Sequence, residues 1–148
     1  MSKWGGFMRK FIAAAVQMDT GNDKKQNLQQ MLQYIEEAAR HGANLVVFPE
    51  VATILSEAEV HAEPIPGPTT RLLAQKAKEC GIWVHGGSMS ELNPNGPRTY
   101  NTSVLMNPAD LKHYIILNIL FYSIELFRMF ASDKTISIWR KSNRKFVR

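Results

Sequence analysis

The 148-residue chain has one cysteine, Cys80. A single thiol excludes an internal disulfide framework and any zinc site built on several cysteines, and it fits a reducing compartment such as the cytoplasm. The four histidines, His41, His61, His85 and His113, are scattered without the spacing of a metal site. The glycines Gly86 and Gly87 stand beside Ser88, but the longer glycine pattern and the lysine of a phosphate-binding loop are missing. No metal or cofactor is therefore expected. The chain also lacks the bias of a disordered, collagen-like or coiled-coil sequence, since 45% of its residues are hydrophobic and 21% charged. A chain of this size buries about 70% of the surface of its unfolded form, enough for one core and too little for two full domains.

An excess of acidic residues is also missing, but the formal charge of +5 is unevenly placed. Residues 1–108 carry ten basic and ten acidic side chains, while residues 109–148 carry eight basic and three acidic ones. The larger part of the chain is electrically balanced, so the high isoelectric point does not imply a nucleic-acid partner. Lys3, Arg9 and Lys10 precede an apolar run at residues 11–18. Eight residues are at the lower limit of a secretory leader, and a helix-like pattern follows at once; the run reads as a buried strand, with the cytoplasm as the default location.

Strands and helices alternate over residues 1–108. The continuous apolar stretch 11–18 suits a strand covered on both faces. Asn22 or Asp23 can cap a helix on which Leu28, Met31, Leu32, Ile35 and Ala39 recur at three- and four-residue spacing, with Gly42 as its stop. Residues 45–48 form a second strand ended by Pro49, and the prolines Pro64, Pro66 and Pro68 make the segment up to Gly67 irregular. Pro68 suits the first turn of a second helix that places Leu72, Leu73, Ala77 and Cys80 on one face and ends at Gly81. Residues 82–85 make a third strand stopped by Gly86 and Gly87, and residues 100–106 a fourth, ended by Asn107 and Pro108. The order βαβαββ implies a layered α/β sheet.

Glu50 is the most informative residue. It directly follows a buried strand in NLVVFPE, at the carboxyl end where open α/β sheets place ligands, and partial burial there would suit a general base. A lone glutamate after a strand is more often a solvated loop residue, and its surroundings decide between the two. The opening strand FIAAAVQM, the helix ending in EEAARHGANLVVFPE, then EPIPGPTT, GIWVHGGS and TYNTSVLMNP resemble, in this order and spacing, the nitrilase superfamily of carbon-nitrogen hydrolases. IPGPTT with GGS is most similar to the amidase branches, including the omega-amidases and deaminated-glutathione amidases. The resemblance runs from about Arg9 to Pro108.

The resemblance implies an α/β fold, a partial αββα sandwich of the nitrilase type in βαβαββ order, truncated, and homo-oligomers formed through the helical face. It implies a small-molecule amide as substrate in intact relatives and a Glu-Lys-Cys triad, in which a thiolate attacks the amide or nitrile carbon and water hydrolyses the resulting thioester. Nitrile hydrolysis and acyl transfer are the other reactions of the superfamily. Of the triad, only Glu50 carries over, as general base. The family's lysine phrase is not kept after Pro108; Lys112, beside His113, comes several residues too early and reads as a surface lysine. No segment matches the family's cysteine phrase, and Cys80, on the apolar face of a helix, reads as a structural thiol.

From Ala109 onward, glycine and proline disappear and basic and apolar residues dominate. Residues 114–130 are apolar, but they number 17 and include Asn118, Ser123, Glu125 and Arg128, so they are short and polar for a membrane span. Followed by Arg140, Lys141, Arg144, Lys145 and Arg148, they suit an anionic membrane surface. The favoured expectation is different: residues 109–148 are the product of a shifted reading frame or an unspliced exon, residues 1–108 are the N-terminal part of a hydrolase domain, and the chain alone is inactive. The rival is a non-catalytic protein that pairs with a full-length relative or contacts membranes through its tail.

Overall fold

The computed structural model describes residues 11–56 and 60–117, the last eight by their backbone only. In chain order the elements are β1 (Ala13–Ala15), α1 (Lys24–Arg40), β2 (Leu45–Val47), α2 (Pro68–Cys80), β3 (Trp83–Glu91), β4 (Tyr100–Asn107) and β5 (Asp110–Leu117). The five strands form one sheet in the order β1-β2-β3-β4-β5. The first three are parallel, with Ala14 opposite Val46 and Val46 opposite Val84. β4 runs antiparallel to β3, and β5 antiparallel to β4.

Both helices begin where local chemistry starts them. The Asp23 carboxylate accepts the Gln26 N–H at 3.0 Å and so satisfies one of the orphan donors of α1. Pro68 opens α2, and Gly81, at φ 67°, closes it in the left-handed conformation that glycine adopts without penalty. Met31, Ile35 and Ala38 of α1 and Leu73, Ala74 and Ala77 of α2 pack with Val46, Val84, Val104 and Met106 in one apolar cluster. Side chains alternate along a strand, so the neighbours of these core residues face the other way. Ala13, Leu45 and Leu105, with Phe11, Val47 and Trp83, form a smaller cluster there. Each large apolar side chain withdrawn from water stabilises the fold by about 1.5–3 kcal/mol.

Four details differ from the sequence pattern. β1 is three residues long and pairs along the whole of the three-residue β2, beyond which Pro49 has no N–H to extend a ladder. β3 does not stop at Gly86 and Gly87; it passes through them in a bulge between His85 and Ser88 and continues to Glu91. Leu72 is 42% exposed, since the buried stripe of α2 is centred on Thr69, Thr70, Leu73 and Ala77. β5 begins beyond Pro108 and takes in the first four residues of the run 114–130, from Tyr114 to Leu117.

Candidate active site

Glu50 lies at the carboxyl end of β2, in a turn fixed by the neighbouring strand. The Phe48 N–H donates to the His85 carbonyl at 3.0 Å. Pro49 has no N–H to extend the ladder, and the chain turns away through Glu50 and Val51. Val51 sits at φ 55°, a left-handed conformation that strains a β-branched residue. Its N–H is held by the Ser88 hydroxyl oxygen at 2.9 Å. Gly87 makes the close approach possible: at φ 69°, it lies where a β-carbon would collide with the Pro49 carbonyl oxygen. The strand-ending pair GG is thus a bulge that seats the Glu50 turn.

The Glu50 side chain is exposed, not part-buried as its place at the end of a core strand suggested. The Asn101 side-chain amide of β4 donates to its Oε1 at 3.0 Å. Asn101 alternates with Ser103 and Leu105 along β4, so the carboxylate reaches over the sheet face opposite α1 and α2.

Under this turn His85 is 3% exposed and fully bonded. The Gly87 N–H donates to its Nδ1 at 3.4 Å, and Ser103 Oγ lies 2.8 Å from its Nε2. The Ser103 hydroxyl donates its one hydrogen to the Gly87 carbonyl at 2.7 Å, so the proton on the third contact belongs to His85 Nε2. Burial lowers the pKa of this imidazole, and a backbone hydrogen bond opposes the shift. A histidine that donates to a serine is not that serine's base. His85 and Ser103 therefore brace the bulge and do not form a nucleophilic pair.

The EPIPGPTT segment builds a second ionic site, around Glu63. Lys24 Nζ donates to the Glu63 carboxylate and to the His61 carbonyl. The Thr69 N–H and hydroxyl each donate to Glu63 at 2.8 Å, so the carboxylate caps α2 in place of the side chain that Gly67 lacks. Burial works to raise the pKa of Glu63, but the bonds from Lys24 and Thr69 and the Lys24 charge outweigh it and hold the carboxyl below its ordinary value. Buried Asn27 ties the Gly21 and Thr53 carbonyls together at 2.9 and 3.0 Å, joining the start of α1 to the loop after Glu50.

Cys80 is kept away from Glu50. It ends α2, next to the amino end of β3, whereas Glu50 follows the carboxyl end of the parallel β2. Its thiol is part-buried against the core, and burial pushes its pKa up, with Lys76 opposing and Glu36 and Glu79 reinforcing. Lys112 and His113 lie on β5, and their side chains are outside the described residues, as is the basic tail. Ser88, Asn101, His85 and Ser103 took no role from the sequence pattern. GGS and TYN did mark their neighbourhood, but the contacts join residues far apart in the chain.

The family profile described as carbon-nitrogen hydrolase matches residues 12–112, which is more than half of the chain. The chain belongs to the carbon-nitrogen hydrolase family, as the phrases around Glu50 implied. It is 38% identical over 104 residues to the omega-amidase NIT2 of Danio rerio and 35% identical over 104 residues to that of Homo sapiens. In both cases the match covers 68% of this chain and 37% of the relative's length. Among solved structures, it is similar to Saccharomyces cerevisiae Nit3, a member of branch 10 of the nitrilase superfamily, with a TM-score of 0.55 and 28% identity over 72% of this chain and 43% of that one. A carbon-nitrogen hydrolase superfamily protein of Xanthomonas campestris shares the fold, at a TM-score of 0.56 and 21% identity over 80% of this chain and 43% of that one. The α/β architecture is thus that of the nitrilase superfamily, and the chain spans well under half the length of these relatives.

Proposed function

We propose that residues 12–112 are the part of a small-molecule amidase that carries its general base, Glu50. The observation that supports this reading most is the position of that carboxylate. It is exposed at the carboxyl end of a core strand, on a strained turn that β3 braces, and bonded to one neutral donor, Asn101. In such an enzyme the base takes the proton of a cysteine thiol, the thiolate adds to the amide carbon, ammonia or an amine leaves, and water cleaves the thioester. The substrate class is a small amide of the omega-amidase type, by similarity to the relatives. The lysine and the nucleophile have no match among residues 12–112, so this stretch alone is inactive, and the cytoplasm is its proposed place. Catalysis needs both groups from further sequence.

Two measurements test the reading. The purified 148-residue chain should release no ammonia from small primary amides, and thiol-dependent release would overturn its proposed inactivity. The endogenous protein, captured with an antibody against residues 1–108 and weighed intact, should have a mass of about twice 16.8 kDa, given the 37% coverage of the relatives. That mass would support a reading-frame or splicing origin for residues 109–148. A mass of 16.8 kDa would overturn the amidase reading and favour the non-catalytic rival. Its membrane version is weakened by β5, which leaves thirteen residues of the run 114–130, short of the 17 or so that a span requires. No helix among the described residues is long and apolar enough to cross a membrane.

A further inference from the structure

Among the described residues, the Glu50 carboxylate has one hydrogen-bond partner, the Asn101 amide, 51 positions away in sequence and two strands away in the sheet. A carboxylate on an exposed side chain otherwise samples several rotamers, and a base is effective only when one oxygen faces the proton it accepts. The backbone beneath is already fixed by Ser88 and by the Gly87 bulge. The torsions of the side chain remain, and the bond from β4 restrains them. The donor is an uncharged amide, so it orients the carboxylate without neutralising it as Lys24 neutralises Glu63.

We infer that Asn101 is the positioning residue of the Glu50 base: its amide holds Oε1 and leaves Oε2 as the proton acceptor. The inference rests on the reading of Glu50 as a base, but its test does not require activity. In the 15N-labelled full chain, the Asn101 side-chain amide signals are followed by NMR from pH 7 to pH 3. The expected result is a shift that follows protonation of a carboxyl group and disappears in Glu50→Gln, a substitution at an exposed site that should leave the backbone spectrum intact. Among the described residues, Glu91 is a second carboxylate on the neighbouring strand, where it lies opposite Tyr100 and accepts from the Thr102 hydroxyl. A shift that persists in Glu50→Gln and disappears in Glu91→Gln would overturn the inference, as would amide signals that do not respond to pH. An intact Asn101 response in a chain of 16.8 kDa endogenous mass would leave the bond established and the amidase reading overturned, so the two failures are separable.

Discussion

Two glutamates sit near the sheet, and the protein treats them in opposite ways. Glu63 is part-buried and held by a lysine and by two donors from one threonine, and its charge completes the start of α2. Glu50 is exposed and held by a single amide, on a backbone that is itself strained. A carboxylate saturated with donors is committed to the fold, and one with spare acceptor capacity is free for chemistry. The contrast separates a carboxylate used by the fold from the one proposed as a base, although each stands next to a proline, Glu50 after Pro49 and Glu63 before Pro64.

The comparison can be broken most severely at its backbone. Gly87→Ala would drive a β-carbon into the Pro49 carbonyl at φ 69° and should cost about 3 kcal/mol or more in urea unfolding. Gly42→Ala, also at positive φ but with open space around it, should cost about 1–2 kcal/mol, which isolates the collision from the strain. Next, Glu63→Gln should cost about 1–3 kcal/mol, because part-buried Lys24 loses its counter-charge, whereas Glu50→Gln should stay within about 0.5 kcal/mol. The folded pKa of Glu63 lies below 4.5, so its contribution is present above that pH and is lost as pH falls through the folded value. Glu63→Gln should remove that portion of the acid sensitivity, read as the urea midpoint against pH.

His85 gives a smaller effect of the same sign. Its folded pKa lies below 6.5, so the unfolded chain binds more protons as the medium is acidified. Stability should be at its plateau above about pH 6.5 and should fall below it by about 1.4 kcal/mol per pH unit at most, a slope that His85→Gln removes. The smallest effect is expected on the helical side. Lys76 bridges Glu36 of α1 and Glu79 of α2 in an exposed cluster, and Lys76→Met should change stability by less than about 1 kcal/mol, the more so at high salt.

The two helices were legible in the sequence because local chemistry specifies their ends: Asp23 caps, Pro68 starts, Gly81 stops. Glu50 was legible because the end of a buried strand is visible in a string of apolar residues. Its surroundings were not. Gly86 and Gly87 read as terminators, since nothing near them in sequence reveals that Pro49 comes up against Gly87. The partners Ser88 and Asn101 are 37 and 51 positions from the residues they bond. β5 was hidden because its residues have no clear alternation and lie where the composition changes. Thr69 and Thr70 are buried despite their hydroxyls because both are bonded at the start of α2.

The sheet order also bears on how the protein is made. Every strand is the spatial neighbour of the one synthesised just before it, so the ribosome delivers the pieces in the order in which they pair. Emerging chain can add each strand to a ladder already begun, and the first helix-covered parallel pair does not wait for sequence still to be translated. The cost of this arrangement is that the newest strand is always an open edge, with unpaired backbone donors and acceptors facing whatever is nearby. At the end of synthesis of the described sheet that edge is β5, while the opposite margin, β1, is only three residues long and offers a stray strand little to grip.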